Sequence, residues 1–149
     1  MFGQANLRLK IGLTLGMLKN TILALFTYLC ISSCSQSTNY EKADNALSGG
    51  RYFLESYNQG DIKMAKFYIL DNPENIQIFD SLSKAHRALD KEGRQLLRQS
   101  SIQVNEVQEI NKAETHIKYQ LSSDAQKRIL KVIQTPDGWK VDLKFTYRP

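Results

Sequence analysis

The sequence predicts an α+β domain in which three to four N-terminal helices pack on one face of a curved four-stranded antiparallel sheet. Three observations lead there. Apolar residues recur at steps of three and four between Ala46 and Gln99, apolar and polar residues alternate from Ser101 to Arg148, and the turn signals "NK", "SSDA" and "TPDG" divide that second half into four runs at hairpin spacing. Helices followed by a meander segregate onto one side of an antiparallel sheet, because that is how each element buries its apolar stripe.

The first helix is expected from about Ala46 to Asn58, with Leu47, Phe53, Leu54 and Tyr57 on its apolar side and with Gly49 and Gly50 weakening its first turn. Gly60 stops it, and Asp61 caps a short second helix in "IKMAKFYIL" that turns Ile62, Ala65 and Tyr68 or Ile69 inward. Pro73 opens a third. Ile76, Phe79, Leu82, His86, Leu89, Gly93 and Leu96 then form one stripe between Glu74 and Gln99, with a break near Asp90, which can cap a separate last helix. In the first strand Ile102 and Val104 alternate and give way to Val107 and Ile110, which predicts a bulge near Asn105. Ile117, Tyr119 and Leu121 share one face of the second strand. The third, "KRILKVIQ", is apolar at Ile129, Leu130, Val132 and Ile133, so its inward parity stays open. The fourth, "GWKVDLKFTYR", alternates throughout and sets Trp139, Val141, Leu143, Phe145 and Tyr147 opposite Lys140, Asp142, Lys144, Thr146 and Arg148.

A chain of 149 residues is one domain plus a targeting segment. There is no internal repeat and no low-complexity stretch. The formal charge of +5 is concentrated at the start: residues 1–33 hold Arg8, Lys10 and Lys19 and no acid, so 17 of the 20 bases face 15 acids in the remainder. That near balance argues against nucleic acid as a partner, since a nucleic-acid binder carries its basic excess in the folded part.

Residues 1–33 read as a secretory signal. Lys19 and Asn20 precede "TILALFTYLCISS", a run of signal length that is too short to cross about 30 Å of hydrocarbon. A spanning anchor beginning near Ile11 would place Lys19 close to mid-membrane, at about 2.5–3.5 kcal/mol. Met17, followed by Leu18 and Lys19, starts a well-proportioned signal and is the expected true start. Ile31, Ser32, Ser33 and Cys34 resemble the lipobox of bacterial lipoproteins. Small residues admit the extended backbone to a peptidase cleft, and only a thiol offers a thioether to diacylglycerol. The resemblance implies cleavage between Ser33 and Cys34 and acylation of Cys34, with an unmodified, buried Cys34 as the competing reading. Cys30 leaves with the signal, and the mature chain needs no disulfide. Residues 34–45, "CSQSTNYEKADN", then form a flexible tether, about 17 Å across for ten such residues, and residues 46–149 form the domain. Ser35 after the cysteine implies, by the same resemblance, the outer membrane facing the periplasm.

From about Ala46 to Tyr147 the chain resembles small bacterial lipoproteins of unknown function with a nuclear-transport-factor-2-like, or cystatin-like, α+β roll. The helix ending "SYNQGDIKMAKFY", the long amphipathic segment and the closing hairpin "ILKVIQTPDGWKVDLK" carry the likeness. It implies a cone of sheet and helices, either filled or open to a small ligand, and it implies no activity.

His86 interrupts an apolar helical stripe. Members of the wider superfamily that act as isomerases or dehydratases place a His or Asp inside the cone, where a shifted pKa permits proton transfer; a lone His on such a face is more often a satisfied core residue. Neither Asp80 nor Asp90 lies clearly on its stripe, the apolar parity of the fourth strand is hydrophobic throughout, and Tyr119 supplies the one polar atom on that of the second. Tyr52, Tyr68, Tyr119 and Trp139 could line a pocket with His86 for a flat ligand, or could be core. Lys84, Arg87, Lys91, Arg94 and Arg98 follow helical spacing and offer either a basic stripe for anionic lipid or an acidic protein surface, or a solvated face paired as Asp80 with Lys84 and Asp90 with Arg94. His86 and His116 lie thirty residues apart without cysteines, unlike a metal site, and Gly49 and Gly50 lack a phosphate-loop pattern. No cofactor is expected. The reading is a membrane-tethered, non-enzymatic module that binds a small apolar ligand, an envelope protein or a second copy through its sheet face. The alternative is an acid/base enzyme of isomerase or dehydratase type using His86 on a small hydrophobic substrate.

Overall fold

Short polar side chains start each of the long elements by accepting a backbone N–H that helix geometry leaves unpaired. The computed structural model describes residues 39–147. Asn45 caps α1 (Ala46–Gln59), Asp61 caps α2 (Ile62–Phe67), Asn72 caps α3 (Pro73–Ala88) and Asp90 caps α4 (Lys91–Gln99). Their side-chain oxygens accept from Ser48, Met64, Asn75 and Gly93 at 2.9, 2.9, 2.9 and 2.7 Å, each worth about 1 kcal/mol. Gly60 ends α1 at a φ of 83°, a left-handed conformation that favours glycine. Among the described residues no helix is long and apolar enough to cross a membrane.

The second half is a four-stranded antiparallel meander, β1 (Ile102–Asn111), β2 (Glu114–Leu121), β3 (Asp124–Thr135) and β4 (Gly138–Asp142), ordered as in the sequence. The domain is therefore α+β, with four helices before the sheet. The register of β1 against β2 slips between Val104 and Glu106, which puts an unpaired residue at Asn105 where the alternation fails. Further slips at Ile110 and Gln120 add bulges, which bend a strand and increase its twist.

Thr115, Ile117 and Tyr119 of β2, Leu130 and Val132 of β3 and Val141 of β4 are buried on one face. That settles the parity of β3: even-numbered residues from Arg128 to Val132 face the helices. α1 lies against this face, and Gly49 and Gly50 are its contact surface. A Cβ on Gly49 would stand 2.7 Å from the Trp139 carbonyl oxygen, and one on Gly50 would stand 2.9 Å from Ile117 Cδ1. The glycine pair gives up helix propensity for close approach. Phe53 and Leu54 follow on the same side, with Ala65, Tyr68, Ile69 and Phe79 completing the core.

Four expectations are corrected. Leu47 is 37% exposed, because the sheet meets the glycines one turn later. Leu96 is 56% exposed; Leu89, with ψ near 141°, breaks the helix and resets the phase of α4, so that Leu97 turns inward instead. The same break divides the basic stripe. Neither Asp80–Lys84 nor Asp90–Arg94 pairs among the described residues; the Asp90 carboxylate caps α4, and Arg94 donates to the Leu89 carbonyl. Finally, β4 stops at Asp142, and Leu143–Thr146 forms a helical turn, α5. The side chain of Asn75, fully buried in α3, accepts the Lys144 N–H at 2.8 Å. The far edge of β4 is also occupied: Val141 exchanges two 2.8 Å hydrogen bonds with Tyr68 and Leu70.

Val104 and Val107 of β1 face the same side as the core, opposite Tyr119 and Ile117, yet remain exposed on the edge strand. Ile110, on the same strand, and Ile129, on the opposite face of β3, are also exposed.

Candidate ligand-binding site

Spacing of four on α1 brings Leu54 and Asn58 to one side; spacing of three and four on α3 does the same for Leu82, Ala85, His86 and Leu89. α4 adds Leu97. Across the sheet, Tyr119 and Arg128 are directly paired neighbours on β2 and β3, followed by Leu121, and Tyr147 closes the ring after α5. These residues and Tyr57 surround a cavity of about 290 Å³. Its walls are mostly leucine and tyrosine, and no carboxylate lines it.

The polar atoms on those walls are unevenly satisfied. The Tyr57 hydroxyl donates to the Leu82 carbonyl at 3.1 Å. Arg128 is anchored through Nη2, which donates to the Asp124 carboxylate and to Gln126 Oε1. Three other atoms are buried without a partner: Asn58 Nδ2, His86 Nε2 and Arg128 Nη1. Each orphaned polar group costs about 1–3 kcal/mol, and such groups are few in native proteins. Here the three residues that carry them, Asn58, His86 and Arg128, all line a single cavity.

His86 is 5% exposed and meets the Tyr57 ring edge-on at 5.3 Å between centroids. Burial lowers its pKa, and the guanidinium groups of Arg94 and Arg98 on α4 lower it further, against a hydrogen bond to the Asn58 backbone that raises it. The ring is therefore neutral near pH 7. Burial pushes Tyr57 up to about 12 and also raises Tyr119, which stands beside Tyr147, so these hydroxyls stay protonated.

Because the folded His86 holds its proton less tightly than the unfolded one, the unfolded chain binds more protons as pH falls through the ordinary histidine range. Stability is expected to be fully present above that range and to decline below it. In urea titrations at stepped pH, His86→Gln should flatten this acid-side decline; an unchanged slope would show that His86 does not cause it.

The five side chains expected to share a pocket divide into separate places. His86 and Tyr119 line the cavity. Tyr52 and Tyr68 pack on each other at 5.2 Å, and the Tyr68 hydroxyl donates to the Glu41 carbonyl at 2.8 Å. Trp139 is half-buried beneath Gly49. Ser33 and Cys34 lie outside the described residues. Sequence reasoning missed Asn58, Arg128 and Tyr147, and only Arg128 left a signal, an arginine in phase with Leu130 and Val132.

Two other polar features are already satisfied. His116 sits 2.9 Å from Glu114 Oε1 and 4.7 Å from the Phe145 ring, while Lys131 binds Glu114 at 3.2 Å. A wider cleft of about 430 Å³ contains Lys140, whose ammonium donates to the Phe67 carbonyl and lies 3.6 Å over the Phe67 ring. Burial lowers the pKa of Lys140. With both of its contacts filled, it offers a ligand less than the cavity does.

Comparison with protein-family models, with curated proteins and with solved structures finds no match to the chain.

Proposed function

We propose that this protein is a bacterial envelope lipoprotein, held through acyl chains on Cys34 at the periplasmic side of the outer membrane, whose domain binds a small ligand in the cavity beside His86. The α+β order supports a cystatin-like roll, in which sheet and helices form a cone, as the finer description of the fold. One observation carries the binding reading: Asn58, His86 and Arg128, each with a buried polar atom that has no partner, line one mostly apolar cavity. Ligand sites combine an apolar wall with a few convergent polar groups in this way.

The tether belongs to the same reading. One acyl chain holds a protein to a bilayer only marginally and two hold it firmly, so the short stretch between Cys34 and the domain would keep the cavity near the membrane surface.

An acid/base enzyme is the second reading, favoured by a neutral His86 among the cavity's lining residues. Proton transfer needs a group to orient the base or to complete the relay, and no carboxylate lines this cavity. Binding is therefore the better account. Denaturing protein purified from membranes is expected to release a small molecule in near-stoichiometric amount, detected by mass spectrometry. Leu97→Trp, which fills the cavity from α4 without entering the sheet core, should abolish that release. An empty wild-type protein, or equal release from both, contradicts the reading.

A further inference from the structure

The two edges of the sheet differ. Beyond β4, Val141 exchanges backbone hydrogen bonds with Tyr68 and Leu70, so the chain closes that edge itself. Beyond β1, no backbone group of Ile102–Asn111 bonds outside the β1–β2 ladder among the described residues. A long row of unpaired N–H and carbonyl groups is a template for another strand, and proteins commonly blunt it with lysine, proline, bulges or a covering segment. β1 is ten residues long and holds neither lysine nor proline. Its bulges at Asn105 and Ile110 interrupt the edge but leave Glu106–Glu109 regular between them. Val104, Val107 and Ile110 are exposed along it, Val107 by 46%.

The order of residues selects the occupant. On either side of Val107 the chain runs two polar residues and then an aliphatic one: Glu106, Asn105 and Val104 in one direction, Gln108, Glu109 and Ile110 in the other. Such a strand is complementary to itself when reversed, as a two-fold interface requires. We propose that β1 pairs with β1 of a second copy of this chain, antiparallel, with the two-fold axis at Val107. Val107 then meets the partner's Val107, and Val104 meets the partner's Ile110. Glu106 meets the partner's Gln108, and Asn105 meets the partner's Glu109, so each carboxylate faces a neutral amide. Glu106 is also bound by Lys118 at 2.7 Å.

The side-chain faces agree with this register. Val107 lies opposite Ile117 on the core face, whereas Glu106 and Gln108 lie opposite Lys118 and His116 on the outer face, and residues directly opposite across two strands share a face. The neighbouring registers fail. An axis at Glu106 sets two like charges directly opposite, and an axis at Gln108 sets Val107 against the partner's Glu109. The two four-stranded sheets join edge to edge as one. This pairing depends on neither the cavity nor the anchor.

Single cysteines in the full chain, purified in detergent and treated with a short bis-maleimide, test the register. The wild type, whose own thiols are Cys30 and Cys34, is the blank. Val107→Cys is expected to cross-link to a dimer, because self-opposed Cβ atoms stand about 4.5–5.5 Å apart. Val104→Cys should stay at the blank, since its two copies would lie about 20 Å apart along the strands. Light scattering corrected for bound detergent should give a dimer for the wild type and a monomer for Val107→Lys, which sets two ammonium groups face to face. The urea midpoint of that variant should not fall below that of Val104→Lys, a matched exposed position on the same strand. A monomeric wild type, equal cross-linking from both cysteines, or a dimer that survives Val107→Lys would overturn the pairing. Cross-linking of Val107→Cys in native membranes to a different protein, with a monomeric wild type, would assign the edge to that protein instead.

Discussion

Phe53→Ala is expected to lower the unfolding free energy by about 3–5 kcal/mol, a large part of the roughly 5–15 kcal/mol that holds such a domain together. Phe53 is fully buried in α1, stacks on Tyr57 with 6.2 Å between centroids, and belongs to the core that α1 forms on the sheet. The neighbouring side chains cannot close the gap easily, because Gly49 and Gly50 already bring α1 as near to the sheet as backbone permits. Urea denaturation should show a lower midpoint with an unchanged slope. A loss below about 1 kcal/mol would mean that α1 repacks freely, against the tight contact described above.

Cys34→Ser is expected to have an all-or-none effect. A serine hydroxyl cannot form the thioether on which acylation depends, so incorporation of labelled fatty acid should fall to background, while the domain from Ala46 onward keeps its urea midpoint. The separation follows from the fold: residues 41–45, expected as the end of the tether, are instead docked on the domain, with Ala43 buried in the core and its carbonyl accepting from the Trp139 N–H at 3.1 Å, while Cys34 lies well before them. Label that persists in the serine variant would place the lipid elsewhere or refute it.

How much of this fold was readable depended on whether the local signal had a single cause. Asn45, Asp61, Asn72 and Asp90 each cap a helix, and their positions are set by short-range chemistry that the sequence displays directly. The slip at Asn105 was legible for the same reason: one residue out of phase has one structural meaning. Leu143, Phe145 and Tyr147 were ambiguous. Spacing of two fits a strand, but Leu143 and Tyr147 are also four apart, the spacing of one helical turn, and a 2.8 Å bond that the Lys144 N–H donates to a buried asparagine sixty-nine residues earlier decides between them. No window of local sequence contains that contact.

The candidate site was legible in part for related reasons. His86 announces itself as a polar residue within an apolar stripe. Asn58 reads as an ordinary polar residue near a helix end, and its burial depends on α3 and α4 closing over it. Arg128 was hidden because Ile129, Leu130, Val132 and Ile133 leave the parity of β3 undetermined; only the pairing of Leu130 with Ile117 fixes it. The exposed Val104 and Val107 show the converse. The bulge at Asn105 keeps both on the core side, but β1 is the edge of the sheet, and burial on an edge depends on what lies over it.

The anchor is the central proposal, because it would place the cavity at a membrane and assign the chain to the envelope. Intact mass spectrometry of the protein extracted from its native membrane tests it most directly. The account predicts a chain beginning at Cys34 and carrying the added mass of fatty acyl groups on that residue. A chain that retains Ser33 and the residues before it, with no added lipid mass, would contradict it.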